Sequence, residues 1–134
     1  MKSKLILTCA VVAILLCLLG CAAAPQEVSV DASYSGKEVE LVVGGSLIVT
    51  LESNPGSTGF EWGSAEISDE TVLQQVDQKY EPPAEGAMPG APGKEIWTFK
   101  ALAKGESSIS MEYSQPWEGG TKAAETFDLT VVVK

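Results

Sequence analysis

Thr126-Phe127-Asp128-Leu129-Thr130-Val131-Val132-Val133-Lys134 sets Phe127, Leu129, Val131 and Val133 at every second position. A period of two puts these four side chains on one face of a strand, so the run reads as part of a β-layer that needs a second layer to cover it. Toward the N-terminus the same alternation recurs in short runs bounded by turn formers. Ser107 to Ser114 carries Ile109, Met111 and Tyr113, and Glu95 to Leu102 carries Ile96, Trp97 and Phe99. Leu73 to Tyr80 is marked by Leu73, Val76 and Tyr80; before it come Phe60 to Ile67, Leu47 to Ser53 and Glu38 to Val43. Val28 to Tyr34 adds a short edge strand ahead of them. With no helical period over this length, the expected fold is an all-β, immunoglobulin-like antiparallel β-sandwich of about seven to eight strands.

The connections divide into two kinds. After the first, third and fifth of these runs, counted from Glu38, they are terse: Gly44-Gly45, Ser68-Asp69-Glu70 and Gly105. Such turns join strands and do little else. After the second, fourth and sixth runs come Asn54-Pro55-Gly56-Ser57-Thr58-Gly59-Phe60, the Pro/Gly stretch from Pro82 to Gly93, and Gln115-Pro116-Trp117-Glu118. Strands running up and down deliver every second connection to the same end, so the three long loops are expected to share one rim. Loops held on a rigid scaffold are where binding residues concentrate.

At the other terminus, Lys2 and Lys4 precede an apolar run from Leu5 to Leu19 broken only by Thr8, and Leu18-Leu19-Gly20-Cys21 closes it. The run is short for a membrane span, and a small residue stands directly before the cysteine. The pattern resembles a bacterial-type lipobox. It implies a lipoprotein signal peptide over 1–20, a lipidated Cys21 with a tether over 21–27, and a folded domain over 28–134. The alternative is a transmembrane anchor, or a secretory signal in which the cysteine is incidental. The expected product is exported and held in the cell envelope by lipid on Cys21. Cys9 and Cys17 leave with the leader, so no disulfide is available to the domain.

The chain has 18 acidic and 9 basic residues and a formal charge of −9; every acid lies beyond residue 20, whereas Lys2 and Lys4 lie in the leader. So acidic a domain repels polyphosphate, which argues against a nucleic-acid partner, and its charge serves solubility. Histidine is absent. A Ser-His-Asp or Cys-His mechanism is thereby excluded, and the usual ligand sets of catalytic zinc are missing. No glycine cluster opens a helix to cradle phosphate. The carboxylates are scattered along strands of a sandwich too small to offer much of a cleft for paired acids. The expectation is a monomeric recognition protein, not an enzyme, with no metal and no cofactor.

Residue types in the loops suit that role. Pro55 fixes one φ while Gly56 and Gly59 allow turn geometry closed to bulkier residues, so the first loop is narrow and preset. Ser57 and Thr58 bring small hydroxyls able to bond a partner's imidazole or main chain. The plain alternative is that Asn54-Pro55 and Thr58-Gly59 only shape a β-turn. Phe60 and Trp62 share a face, with Trp62 assigned to the interior and Phe60 to the loop base; Trp97 and Phe99 are packing residues. Trp117, beside Pro116 and the Glu118-Gly119-Gly120 segment, is an exposed interface anchor worth ~2 kcal/mol or more if buried on binding. Its alternative is a ring folded back over the end of the sandwich. Gly90, Pro92 and Gly93 let backbone approach a partner closely, or else belong to a flexible connection.

Asn-Pro-x-x-Thr-Gly-Phe with Glu61-Trp62, then Tyr80-Glu81-Pro82-Pro83 leading to Gly90-Ala91-Pro92-Gly93 and Trp97-Thr98-Phe99, then Pro116-Trp117-Glu118, together resemble the chagasin family of proteinaceous inhibitors of papain-like cysteine peptidases. The resemblance runs in order from about Glu38 to Lys134. It implies reversible, non-covalent occlusion of the peptidase cleft by three loops, with Asn54 to Phe60 across the enzyme's catalytic residues and the other two loops flanking it. Three positions depart from the family pattern. Gly56-Ser57-Thr58 is one residue longer than usual, Pro92 stands where glycine is common, and Gln115 stands where arginine is usual, which removes a charge. Two other readings compete: an adhesion or carbohydrate-binding surface sandwich in which Trp117 stacks on a sugar, and an envelope lipoprotein that recruits a membrane protein through its acidic surface.

Overall fold

The computed structural model describes residues 25–134. The leader over 1–20, the lipidation site Cys21 and the tether through Ala24 lie outside the described residues. The strands are β1 (Glu27–Val30), β2 (Lys37–Leu41), β3 (Ser46–Ser53), β4 (Glu61–Trp62), β5 (Glu66–Ile67), β6 (Leu73–Glu81), β7 (Gly93–Ala101), β8 (Gly105–Ser114) and β9 (Glu125–Val133). A short 3-10 turn spans Ala32–Tyr34, and a single helical turn, α1, spans Pro55–Thr58.

Two sheets face each other, one in the order β1-β3-β7-β6 and the other β2-β9-β8-β4, with β5 also on β8. The decisive run behaves as its alternation requires: Phe127, Leu129, Val131 and Val133 of β9 are all buried. They meet Leu47, Val49 and Leu51 of β3 and Trp97 and Phe99 of β7 in one core, joined by Ile109 and Met111 of β8. Fully burying a side chain of this size contributes about 1.5–3 kcal/mol, so the two inner faces hold the domain together without a disulfide.

Pairing departs from a simple up-and-down order. Among the described residues only β6–β7 and β8–β9 are sequential antiparallel neighbours, whereas β1 lies parallel to β3 and β2 parallel to β9. The turns after β2 and β7 carry the chain from one sheet to the other. Strand direction still alternates, so the long connections are delivered to one end.

The run from Phe60 to Ile67 is not one strand. Trp62 pairs with Tyr113 but Glu66 pairs with Ser110, so the register slips by one residue across Gly63-Ser64-Ala65. That extra residue is a bulge, which breaks the run into β4 and β5. Val28 to Tyr34 likewise divides, into β1 and the 3-10 turn that Asp31 caps through Ser33 N at 2.9 Å. Of the three markers of the fourth run, Leu73 is buried while Val76 and Tyr80 are exposed. β6 is an edge strand with its own register shift between Gln75 and Asp77, and its apolar residues beyond that point leave the core.

Candidate functional site: a rim of three tied loops

The first loop closes on itself. Pro55 begins α1, where its missing N–H costs nothing and its φ suits a helix. Thr58 N donates to Asn54 O at 3.1 Å and Gly59 N to Pro55 O at 3.0 Å; Gly59 ends the turn at φ 72°, the left-handed conformation that favours glycine. Thr58 spends its hydroxyl internally, donating to Asn54 O at 2.7 Å and accepting from Phe60 N at 3.1 Å. The hydroxyl expected to meet a partner is thus a structural tie. Ser57, exposed, makes no side-chain hydrogen bond among the described residues and is the hydroxyl left at the surface.

Beneath this loop is an aromatic base. Phe60 stacks on Tyr113 with ring centroids 5.5 Å apart, and Trp62 packs against the same ring, tilted, at 5.1 Å. The Tyr113 hydroxyl accepts from Asn54 N at 2.9 Å, and the Trp62 indole donates to Glu52 O at 2.9 Å. The buried carboxylate of Glu95 accepts from the Ser53 hydroxyl at 2.7 Å and from Trp62 N at 3.2 Å, with Gln78 Nε2 at 3.4 Å. One carboxylate therefore fastens β3, β4 and β6 to β7 directly under the loop. Sequence reading assigned Trp62 and Phe60 to these places, but gave no role to Glu95 or Tyr113. Their burial depends on which strands become neighbours.

The second loop, Pro82 to Pro92, is two successive turns, Ala87 N to Ala84 O at 3.0 Å and Ala91 N to Met88 O at 3.1 Å. Gly86 and Gly90 take positive φ in open space. Gly93 is glycine for an internal reason, because a Cβ there would stand 2.4 Å from Glu81 O and 2.5 Å from the Tyr80 hydroxyl. Met88 is 83% exposed at the tip. Its mark in the sequence is a lone large apolar residue inside a Pro/Gly stretch.

In the third loop, Gln115 N donates to Thr121 O at 2.7 Å and Thr121 N donates back to Gln115 Oε1 at 3.0 Å. Lys122 Nζ donates to the carbonyls of Gln115 and Trp117. Trp117 is half exposed, and one edge of its ring lies on Gly59, where a Cβ would stand 2.2 Å from Cη2. The ring is thus both folded against the first loop and open to solvent on its other side.

These loops meet. Asn54 Nδ2 donates to Gly90 O at 2.9 Å, joining the first loop to the second, and Gln115 Nε2 donates to Thr58 O at 3.3 Å, joining the third to the first. Gln115, read as a lost charge, serves here as a cross-tie. Asn54 to Phe60, Gly90, Pro92, Gly93, Pro116 and Trp117 all lie at this end of the sandwich. A cavity of about 490 Å³ opens on the flank beside Thr50, Glu52 and Glu125, and it reaches the aromatic base at Trp62 and Tyr113 and the second loop at Pro92.

Residues 40–131 match the family described as "Chagasin family peptidase inhibitor I42". Amoebiasin-2 of Entamoeba histolytica is 34% identical over 86 residues, 64% of this chain and 68% of its own length. Among solved structures, the cysteine protease inhibitor EhICP2 of Entamoeba histolytica superposes with a TM-score of 0.68 at 20% identity, over 84% of this chain and all of that one. Amebosin does so at 0.58 and 24% identity, over 83% and 100%. PbICP-C, solved in complex with falcipain-2, does so at 0.51 and 20% identity, over 82% and 91%. The solved structures bear on the fold, which is the expected immunoglobulin-like sandwich.

Proposed function

Because this chain belongs to the chagasin family of peptidase inhibitors, we propose that it blocks papain-like cysteine peptidases by seating the three-loop rim in their active-site cleft. The observation that carries this reading is the cross-tied rim, in which Asn54 and Gln115 bind the flanking loops to the first and Trp117 rests on Gly59 with half its surface free. A rim already held in one arrangement loses little conformational entropy on docking. The first loop, wound into a helical turn, does not offer the extended backbone that a peptidase cleft would cleave. Its carbonyls at Asn54 and Pro55 are engaged by their own loop. In this reading Trp117 and Met88 are the apolar anchors on the two sides, and Ser57 presents the free hydroxyl between them.

The leader and Cys21 add a location: the inhibitor acts from a membrane surface, anchored by lipid in the cell envelope.

Titrating the soluble form, Ala22 to Lys134, into active-site-titrated papain should give reversible inhibition, with the inhibitor recovered uncleaved. Trp117→Ala should weaken it by roughly 2 kcal/mol, about 30-fold. Undiminished activity at micromolar inhibitor across several papain-like enzymes would overturn the reading.

A further inference from the structure

The rim is one of two ends, and the opposite end carries an apolar patch that inhibition does not use. There the turn between β2 and β3 is Val42-Val43-Gly44-Gly45, and its two valines are 48% and 47% exposed. Tight turns ordinarily carry Gly, Asn, Asp or Ser, which gives two adjacent exposed valines no local explanation. Backbone bonds place the start of the next turn beside them: Gly44 N donates to Ala101 O and Ala101 N to Gly45 O, both at 2.9 Å, and Leu102, next in sequence, is 44% exposed. Lys134 N donates to Leu41 O but its ammonium is paired with the Glu40 carboxylate, so the lysine bordering the patch with its charge outward is Lys104, in the turn after Leu102.

The N-terminal segment enters at this same end. β1 runs parallel to β3 with Glu27 opposite Ser46, so β1 begins at the pole away from the loops. Gln26 bolts it there, its side-chain oxygen accepting from Val42 N at 2.7 Å and its carbonyl from Ser46 N at 2.9 Å. Whatever their conformation, the residues from Cys21 to Gln26 span at most about 18 Å. That is shorter than β3 itself, whose eight residues extend about 26 Å.

We propose that Val42, Val43 and Leu102 form a foot that rests on the lipid surface, so that the protein stands upright with its three-loop rim directed away from the membrane. This rests on the lipidation of Cys21 given above. The short tether selects the occupant: it holds this pole, and no other, within reach of the bilayer. Apolar side chains seated at the headgroup boundary, with Lys104 beside them, supply a second contact that adds to the lipid. The peptidases accessible to such an inhibitor are those whose clefts open toward the aqueous phase at about the height of the domain.

The test uses the full chain, processed and lipidated in a bacterial host and reconstituted in phosphatidylcholine vesicles with a minority of phosphatidylglycerol. Lipidation consumes Cys21, so Ala103→Cys or Glu118→Cys supplies a single free thiol for an environment-sensitive fluorophore at the foot or at the rim. A label at position 103 should be quenched by aqueous iodide several-fold more slowly than one at 118. Adding Val42→Ser and Val43→Ser should remove the difference while the protein still floats with the vesicles. Equal quenching at the two positions in a vesicle-bound, lipidated chain overturns the foot and leaves the anchor standing. A full chain that the host leaves unmodified at Cys21, and that therefore does not float with the vesicles, overturns both.

Discussion

The two ends of this sandwich are built by different means. At the far end side chains tie turns to neighbouring strand segments, as Ser107 Oγ does at Asp69 N and Gln26 Oε1 at Val42 N, while turn meets turn through backbone, Gly44 N donating to Ala101 O and Leu102 N to Val72 O. At the rim the loops are joined by side chains reaching across to another loop's backbone, Asn54 to Gly90 and Gln115 to Thr58, and by Trp117 lying on Gly59. Turn-to-turn contact through backbone tolerates most side chains; loop-to-loop contact through side chains makes the rim's shape depend on a few identities.

The largest effect on the rim is expected from Gly59→Ala. The new methyl group would meet the Trp117 ring at 2.2 Å on a residue held at φ 72°, so the ring must leave its seat. Inhibition should weaken by ~2 kcal/mol or more, and the domain should lose ~1 kcal/mol of stability from the strained backbone alone. Inhibition constants and denaturant midpoints on the same preparations separate the two effects. An unchanged inhibition constant would mean that the seat of Trp117 does not shape the rim's activity.

A smaller effect is expected at the opposite end. The carboxylate of Asp69 accepts from the Thr71 hydroxyl and from Thr71 N at 3.0 Å, which holds its pKa below the ordinary 3.8. A lowered folded pKa stabilises the native state above the unfolded value, and that contribution is lost as pH falls through the folded one. Asp69→Asn should therefore reduce Tm slightly at pH 7, by a margin that disappears in strong acid. Inhibition should be unaffected. Thermal melts between pH 2 and 7, run beside an inhibition assay, check both.

Much of this architecture was legible because it rests on alternation. Phe127, Leu129, Val131 and Val133 announce their face, and Trp97 and Phe99 theirs, since each strand is covered by the opposing sheet. Val76 and Tyr80 misled because an edge strand can alternate without a layer to cover it. The break at Gly63-Ser64-Ala65 was hidden because a bulge leaves apolar residues on both sides of it. The helical turn at Pro55–Thr58 is too short to display a helical period. That the long loops share an end followed from alternating strand direction alone. How they are tied did not, because Asn54 and Gly90, or Trp117 and Gly59, become partners only once both sheets are assembled. Thr58 shows the same limit: its hydroxyl looked available in sequence and is spent within its own loop.

The central claim is that the three loops act as one surface. Hydrogen exchange on the complex with a papain-like peptidase, compared with the free domain, tests it directly. Protection of backbone amides in all three segments, 54–60, 82–93 and 115–122, with no change in the turns at 42–45 and 102–104, is the predicted result. Protection confined to one of those segments, or centred on the flank near Thr50 and Glu125, would contradict it.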